Sequence, residues 1–231
     1  MILTPLQALS RATGSLVAEH DLLDVLATLL SDACTALDAD AAGILIVTSE
    51  QGLDVLAATT HGAHILELLQ AQQRQGPCVE AITGDTTVVE AGASGLSRRW
   101  PDLAPIMAAA GYDAVHAHPL RWQERTLGAI NFFRAATHTS SPDSLVAGQA
   151  FADVVTLLML LPPKYSDEQI EGRTQLALEG RTVIEHAKGV LMHQERLDSA
   201  QAYALLSRLA AGKRLSLTRA AQQVIHDATR R

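Results

Sequence analysis

The run Ala42-Gly43-Ile44-Leu45-Ile46-Val47-Thr48, then Ser49-Glu50-Gln51-Gly52, then Leu53-Asp54-Val55-Leu56-Ala57-Ala58-Thr59 decides the fold class. A β-branched run, four turn-forming residues and a second apolar run read as a strand, a turn and a strand. The flanking sequence is rich in Ala and Leu, which lose little on entering a helix. A hairpin set among helices excludes a purely helical chain.

Upstream, about Leu3 to Leu37 is helical by pattern. Leu22, Leu23, Leu26, Leu29 and Leu30 recur at three-to-four spacing behind Asp21, a suitable N-cap. Downstream, Ala63 to Gln73 is helical, and Gly76-Pro77 breaks it and opens a short helix, since proline suits a first turn. Thr86 to Glu90 is a strand, Ala91 to Arg99 a Gly- and Ser-rich loop, and Leu103 to Ala110 a helix stopped at Gly111. Strands follow at Ala114 to Leu120 and Thr126 to Phe133. Asp143 to Leu161 closes the region as an amphipathic helix. Helices and a mostly antiparallel sheet in this order predict an α+β domain over residues 1–161. Pro162-Pro163 cannot continue a helix and marks the boundary.

Beyond the boundary, residues 164–231 are helical throughout. Leu176, Val183 and Val190 lie seven apart, as do Ala177, Ile184 and Leu191, a double seam suited to pairing with another helix. Asp167 to Arg196 is long for a globular helix, which points to a dimer or to a long connecting helix folding back on its own chain. Asp198 with Gln201 forms a capping box for a second helix whose apolar face is Ala202, Tyr203, Leu206 and Leu209, ending at Gly212. Ser216 caps a third, with Leu217, Ala220, Ala221, Val224 and Ala228 in one stripe. The expected C-terminal module is all-α, with three helices.

Charge is uneven. The whole chain carries 18 Lys/Arg against 25 Asp/Glu, a net of −7, yet from Arg173 onward there are 10 against 5. A basic module carried by an acidic one permits a polyanionic partner. Two cysteines, Cys34 and Cys78, give neither a disulfide framework nor zinc spacing. The N-terminal residues lack a signal-peptide pattern, and the longest apolar run, Val154 to Leu161, is too short to span a bilayer. A cytoplasmic protein with no membrane partner is expected.

The C-terminal pattern resembles the ANTAR family of RNA-binding antiterminator modules. The carrying residues are Leu178, Arg181, Ile184, the run Ala187-Lys188-Gly189-Val190-Leu191-Met192, then Ala202-Tyr203, Leu206, Ala210, Leu217 and Ala221, over about Leu176 to Ile225. One departure is Arg214, where the family often has Asn. The resemblance implies a homodimer that binds RNA carrying paired hairpins and so keeps a terminator from forming. Lys and Arg pair with phosphates, and Arg stacks on unpaired bases. Arg181, Lys188, Lys213, Arg214 and Arg219 are the expected RNA-binding residues, while Arg196 and Arg208 read as ordinary solvated cations.

The N-terminal region resembles a GAF domain, of the form often fused to ANTAR. Gly76-Pro77-Cys78, Arg99-Trp100-Pro101, Pro119-Leu120 and Leu127-Gly128-Ala129-Ile130-Asn131 carry the match over roughly Leu9 to Leu160. The resemblance implies a small molecule held between the sheet and its covering helices, with the ligand and any cofactor unknown, since a fold names neither. Among Cys78, His61, His64, His116, His118 and Asn131, the expected ligand-binding residues are Cys78, His116, His118 and Asn131. Strand alternation puts His116 and His118 on one face, as solvent-facing or hydrogen-bonded sheet residues. Nothing predicts a metal site or a catalytic residue, so the chain reads as a regulator and not an enzyme.

Two other readings compete. A GAF-type thiol redox enzyme would need Cys34 beside Cys78. A DNA-binding regulator would use the last helices as a helix-turn-helix, against which the length of the Leu209-to-Leu217 connection counts. Gating is expected to run from the closing helix through Pro162-Pro163 to the dimer helix.

Overall fold

A computed structural model describes residues 3–17, 21–50, 52–135, 141–161 and 166–230. It divides into two compact units, Met1–Lys164 and Tyr165–Arg231. The expected Pro162-Pro163 linker lies outside the described residues.

The first unit runs α1 (Pro5–Val17), α2 (Leu22–Leu37), β1 (Ala41–Val47), β2 (Leu53–Ala58), α3 (His61–Gln73), α4 (Pro77–Gly84), β3 (Val88–Ala91), α5 (Ala93–Arg99), α6 (Ala104–Ala109), β4 (Ala114–Trp122), β5 (Arg125–Arg134) and α7 (Pro142–Leu160). The five strands form one antiparallel sheet in the order β2-β1-β5-β4-β3. The quoted hairpin is therefore β1–β2, at one edge. Its inner strand pairs with β5 in a register that sets Gly43 opposite Asn131 and Ile46 opposite Gly128. A Cβ at Gly128 would collide with the Leu45 carbonyl, so this position requires glycine for the strands to close.

Both faces of the sheet are covered. On one, Leu45, Leu66, Cys78, Trp100, Met107 and Phe133 pack between the sheet and α3–α6. On the other, Leu26, Leu30, Ile44, Ile130, Phe132 and Phe151 pack against α1, α2 and α7. β1, β4 and β5 are buried on both faces, so they read as nearly continuous apolar runs. Asp21 caps α2 as expected, its carboxylate accepting from the Leu23 and Asp24 N–H groups.

Three expectations change. The single helical stretch of about Leu3 to Leu37 is two helices, α1 and α2. The expected loop Ala91 to Arg99 contains α5, held by Arg99, which donates to Glu80 from Nε (3.0 Å) and a terminal nitrogen (2.6 Å), and by the Trp100 indole, which donates to the same carboxylate at 2.6 Å. Long-range polar contacts override the local Gly and Ser signals there. The closing helix begins at Pro142, behind Ser141, whose hydroxyl accepts from Ser144 N–H.

The second unit is α8 (Asp167–Glu195), α9 (Ser199–Lys213) and α10 (Leu217–Thr229). Its core is Ala187, Leu191, Ala202, Leu206, Ala210, Ala220 and Ala221, with Val183, Ile184 and Val224 against it. Capping boxes open α8 (Ser166 with Gln169) and α9 (Asp198 with Gln201). The double seam is thus divided: Val183, Ile184 and Leu191 serve the chain's own bundle, whereas residues 167–179 are exposed all round, Ile170, Leu176 and Leu178 included. The buried face of α9 is Ala202, Leu206 and Ala210, and Tyr203 points outward instead. α9 also runs through Gly212, so only Arg214, Leu215 and Ser216 join it to α10.

Candidate functional site

The structure sorts the expected ligand residues of the first unit onto opposite faces of the sheet. Cys78 and Asn131 share the α3–α6 face, while His116 and His118 project toward α7.

On the α3–α6 face, fully buried Glu67 and Gln70 of α3 join them in a polar cluster that the sequence reading missed. Asn131 Nδ2 donates to Glu67 Oε1 at 2.7 Å, and Gln70 Nε2 donates to Glu67 Oε2 at 3.1 Å. The Cys78 backbone N–H donates to Gln70 Oε1 at 2.9 Å, and its thiol hydrogen-bonds Glu67. Glycines create the room: a Cβ at Gly43 would lie 2.7 Å from Glu67 Cγ and Oε1, and one at Gly76 would overlap Gln70. Burial raises the Glu67 carboxyl to about 7, against the hydrogen bonds from Asn131 and Cys78, which favour its ionised form. Burial and the neighbouring Glu67 carboxylate push the Cys78 thiol well up, so it is not a reactive thiolate. Asn131 Oδ1 is buried without a partner. The cluster can hold or release one proton near neutrality and can offer amide groups to a polar ligand. The signal for it in the sequence was a Glu-x-x-Gln pair three residues apart on an otherwise core-facing helix, opposite a strand glycine.

On the other face His116 and His118 are buried, not solvent-facing. Their ring nitrogens Nδ1 and Nε2 lie 2.7 Å apart, His118 Nδ1 is 3.3 Å from Thr87 Oγ1, and His116 stacks on Phe132 with ring centroids 5.1 Å apart. Burial lowers His116 to about 3, helped by the nearby His118 and Arg134 charges. Burial and Arg121 lower His118 to about 4. Both are neutral imidazoles. Any side chain at Gly148 of α7 would collide with the His118 ring.

Among the described residues no group of three or more His, Cys, Asp or Glu could hold a metal ion. The cysteine pair of the redox reading is separated by the sheet. Cys34 lies on α2 with the α1–α2–α7 cluster and Cys78 lies across it, both as free thiols.

In the second unit a Cβ at Gly180 would stand 3.5 Å from Thr218 Oγ1, so the middle of α8 lies level with the first turn of α10. That places Arg181 at the same end as Lys213, Arg214 and Arg219, the residues around the α9–α10 connection. Lys188 lies about 10 Å further along α8, at 1.5 Å per residue. Its ammonium is engaged by Glu185 at 2.8 Å. Lys213 donates to Gln223 at 3.1 Å. Arg214 is the C-cap of α9 in the left-handed conformation, φ 53° and ψ 41°. Asn tolerates that conformation better than other side chains after Gly. The three-residue α9–α10 connection is as short as a helix-turn-helix turn, so the expected argument from loop length fails. The error came from measuring the connection from Leu209, although α9 continues to Lys213.

No curated protein sequence matches the chain. Solved structures similar to it share the sheet unit. One is the GAF domain of a phosphoenolpyruvate-protein phosphotransferase from Coxiella burnetii, 19% identical, with a TM-score of 0.53 over 68% of this chain and 94% of that one. Another is the phycoerythrobilin-bound GAF domain of a cyanobacterial phytochrome, 15% identical, with a TM-score of 0.52 over 69% and 96%. A third is fRMsr of Staphylococcus aureus in its reduced form, 13% identical, with a TM-score of 0.53 over 67% and 94%. At these identities the likeness is one of fold. Residues 21–159, more than half of the chain, match the GAF domain, and residues 172–225 match the ANTAR domain. The chain therefore belongs to the GAF family as a GAF–ANTAR fusion, a regulator architecture that joins a small-molecule-sensing module to an RNA-binding antitermination module.

Proposed function

We propose that this chain is a signal-responsive antitermination regulator of the cytoplasm, which binds hairpin RNA as a homodimer under control of a small molecule held by its GAF domain. The observation that carries the reading is the gathering of Arg181, Lys213, Arg214 and Arg219 at one end of the ANTAR helices. Clustered cations supply phosphate contacts, and the planar guanidinium can stack on loop bases. Lys188, held by Glu185, has a lesser part. The exposed Ile170, Leu176 and Leu178 on the leading half of α8 support pairing of two chains along that helix. The cluster of Glu67, Gln70, Cys78 and Asn131 supports a polar ligand on the α3–α6 face, with the signal leaving through α7.

Titration of the full chain with a two-hairpin RNA at several salt concentrations tests this. The Arg181→Ala, Lys213→Ala, Arg214→Ala, Arg219→Ala variant should bind more weakly and show a shallower salt slope, by roughly 0.7–0.9 per lost phosphate contact. Unchanged affinity would refute the RNA-binding face. The short α9–α10 connection favours one competitor, duplex DNA, and DNA affinity equal to RNA affinity at fixed salt would support that reading instead. Native mass spectrometry of the Leu176→Asp variant should show loss of dimer.

A further inference from the structure

Arg134, the last residue of β5, is 4% exposed, yet among the described residues no carboxylate forms an ion pair with it. One terminal nitrogen donates to the Leu37 carbonyl at the end of α2 and, at 3.4 Å, to Ser144 Oγ. Its Nε is buried without a partner. A buried guanidinium whose charge no carboxylate meets is costly, and an anion at the part of the side chain that lines a cleft would offset that cost. The Leu37 contact is accounted for by the negative end of α2, but Nε is not.

Arg134 lines a 390 Å³ cleft, within the roughly 300–1,000 Å³ usual for small-molecule sites, on the α1–α2–α7 side of the sheet and so across it from Glu67. The cleft also meets the N-terminus of the 19-residue α7 at Ser141, Asp143 and Ser144, where the helix dipole favours an anion. Its rim carries two carboxylates, Asp38 and Asp143. A multiply charged anion such as phosphate would gain from Arg134 and lose to both. A small molecule with one carboxylate and one ammonium matches both signs.

We propose that this cleft is a binding site for a free amino-acid zwitterion, its carboxylate on Arg134 and the α7 N-terminus and its ammonium between Asp38 and Asp143. The proposal rests on the reading of the first unit as a small-molecule module and adds a second site to it, across the sheet from Glu67. Occupancy would fix the first turn of α7, whose middle, at Gly148, seats His118.

The test is calorimetric titration of the full chain with glycine, L-alanine, L-serine and L-glutamine, with acetate, methylammonium and phosphate as partial matches. Thermal unfolding is followed by fluorescence of Trp100 and Trp122, both in the first unit. At least one amino acid should bind and raise the fluorescence midpoint, with acetate and methylammonium at least about tenfold weaker. Asp143→Asn, an exposed change, should weaken the amino acid about tenfold or more. Arg134→Gln should abolish binding. Should it fail to fold, Arg134→Lys keeps a donor to Leu37 while losing the fork, and should bind more weakly than the parent. No binding by any amino acid at millimolar concentration, equal binding of phosphate or acetate, or indifference to Asp143→Asn would each overturn the site. RNA binding is not part of the readout, so failure here leaves the antitermination reading standing.

Discussion

Where the GAF unit encloses Glu67, His116, His118, Asn131 and Arg134 among its buried residues, the ANTAR unit encloses alanine and leucine, and nothing that titrates is buried among its described residues. The two were built for different exchanges with their surroundings. Groups kept from water couple the stability of the first unit to protons and to bound polar molecules. The second fully buries none of the charges among its described residues, and most are open to a polyanion and cost the fold little.

The largest expected effect breaks the second unit alone. Leu206→Ala empties the centre of a core made mostly of alanines and should cost about 2–5 kcal/mol. Far-UV circular dichroism should then show an early transition, while tryptophan fluorescence, which reports only the GAF unit, stays unchanged. A fluorescence midpoint that moves with it would show the units to be one cooperative body.

Next comes pH, which should move the first unit. Glu67 has a folded pKa of about 7, raised from 4.5. The folded state therefore holds a proton that the unfolded chain has lost, and stability falls as pH rises from about 4.5 through 7, by on the order of 3 kcal/mol. His116 and His118, lowered to about 3 and 4 from 6.5, act oppositely: the unfolded chain takes up protons that the fold refuses, so stability falls as pH drops below 6.5. Two histidine protons outweigh the one on Glu67, so urea unfolding followed by fluorescence at several pH values should show stability rising from acid pH and levelling off at about pH 7. Glu67→Gln should steepen the rise between about pH 5 and 7, since the opposing proton is gone. An unaltered slope in that variant would show that Glu67 does not oppose the histidines.

A smaller effect comes from Gly148→Ala, which drives a methyl into the His118 ring and should cost the first unit about 1–3 kcal/mol. The fluorescence transition alone should shift. The smallest is a gain. Arg214→Asn relieves a left-handed backbone and should stabilise the second unit by about 1 kcal/mol or less, while weakening RNA binding. A rise in the circular dichroism midpoint without loss of RNA affinity would assign Arg214 a structural place only.

Local signals were enough to locate the hairpin, the order along the chain of the strands and most of the helices, the caps at Asp21, Asp198 and Ser216, and the two family resemblances, because periodicity, capping and short motifs act over a few residues. What they missed is non-local. Glu67 meets Asn131 only because β1 and β5 pair in a register that sets Gly43 beneath it. α5 forms where Gly and Ser suggested a loop because Glu80 lies 19 residues away from Arg99 in sequence and beside it in space. His116 and His118 were rightly placed on one face, but which face is covered depends on α7, the last element of the unit. The cations expected to meet RNA were named residue by residue, but that Glu185 holds Lys188 depends on the side-chain geometry and was not visible in the sequence.

The leading half of α8 has one more consequence. Residues 167–179 bury no side chain, and a helical stretch of about 12–15 residues on its own is marginal in water. This segment is therefore a rod whose stiffness is borrowed from whatever lies along it. Its ellipticity should grow on concentrating the protein, which makes helical content a titration curve for association and makes the rod soft whenever its neighbour leaves.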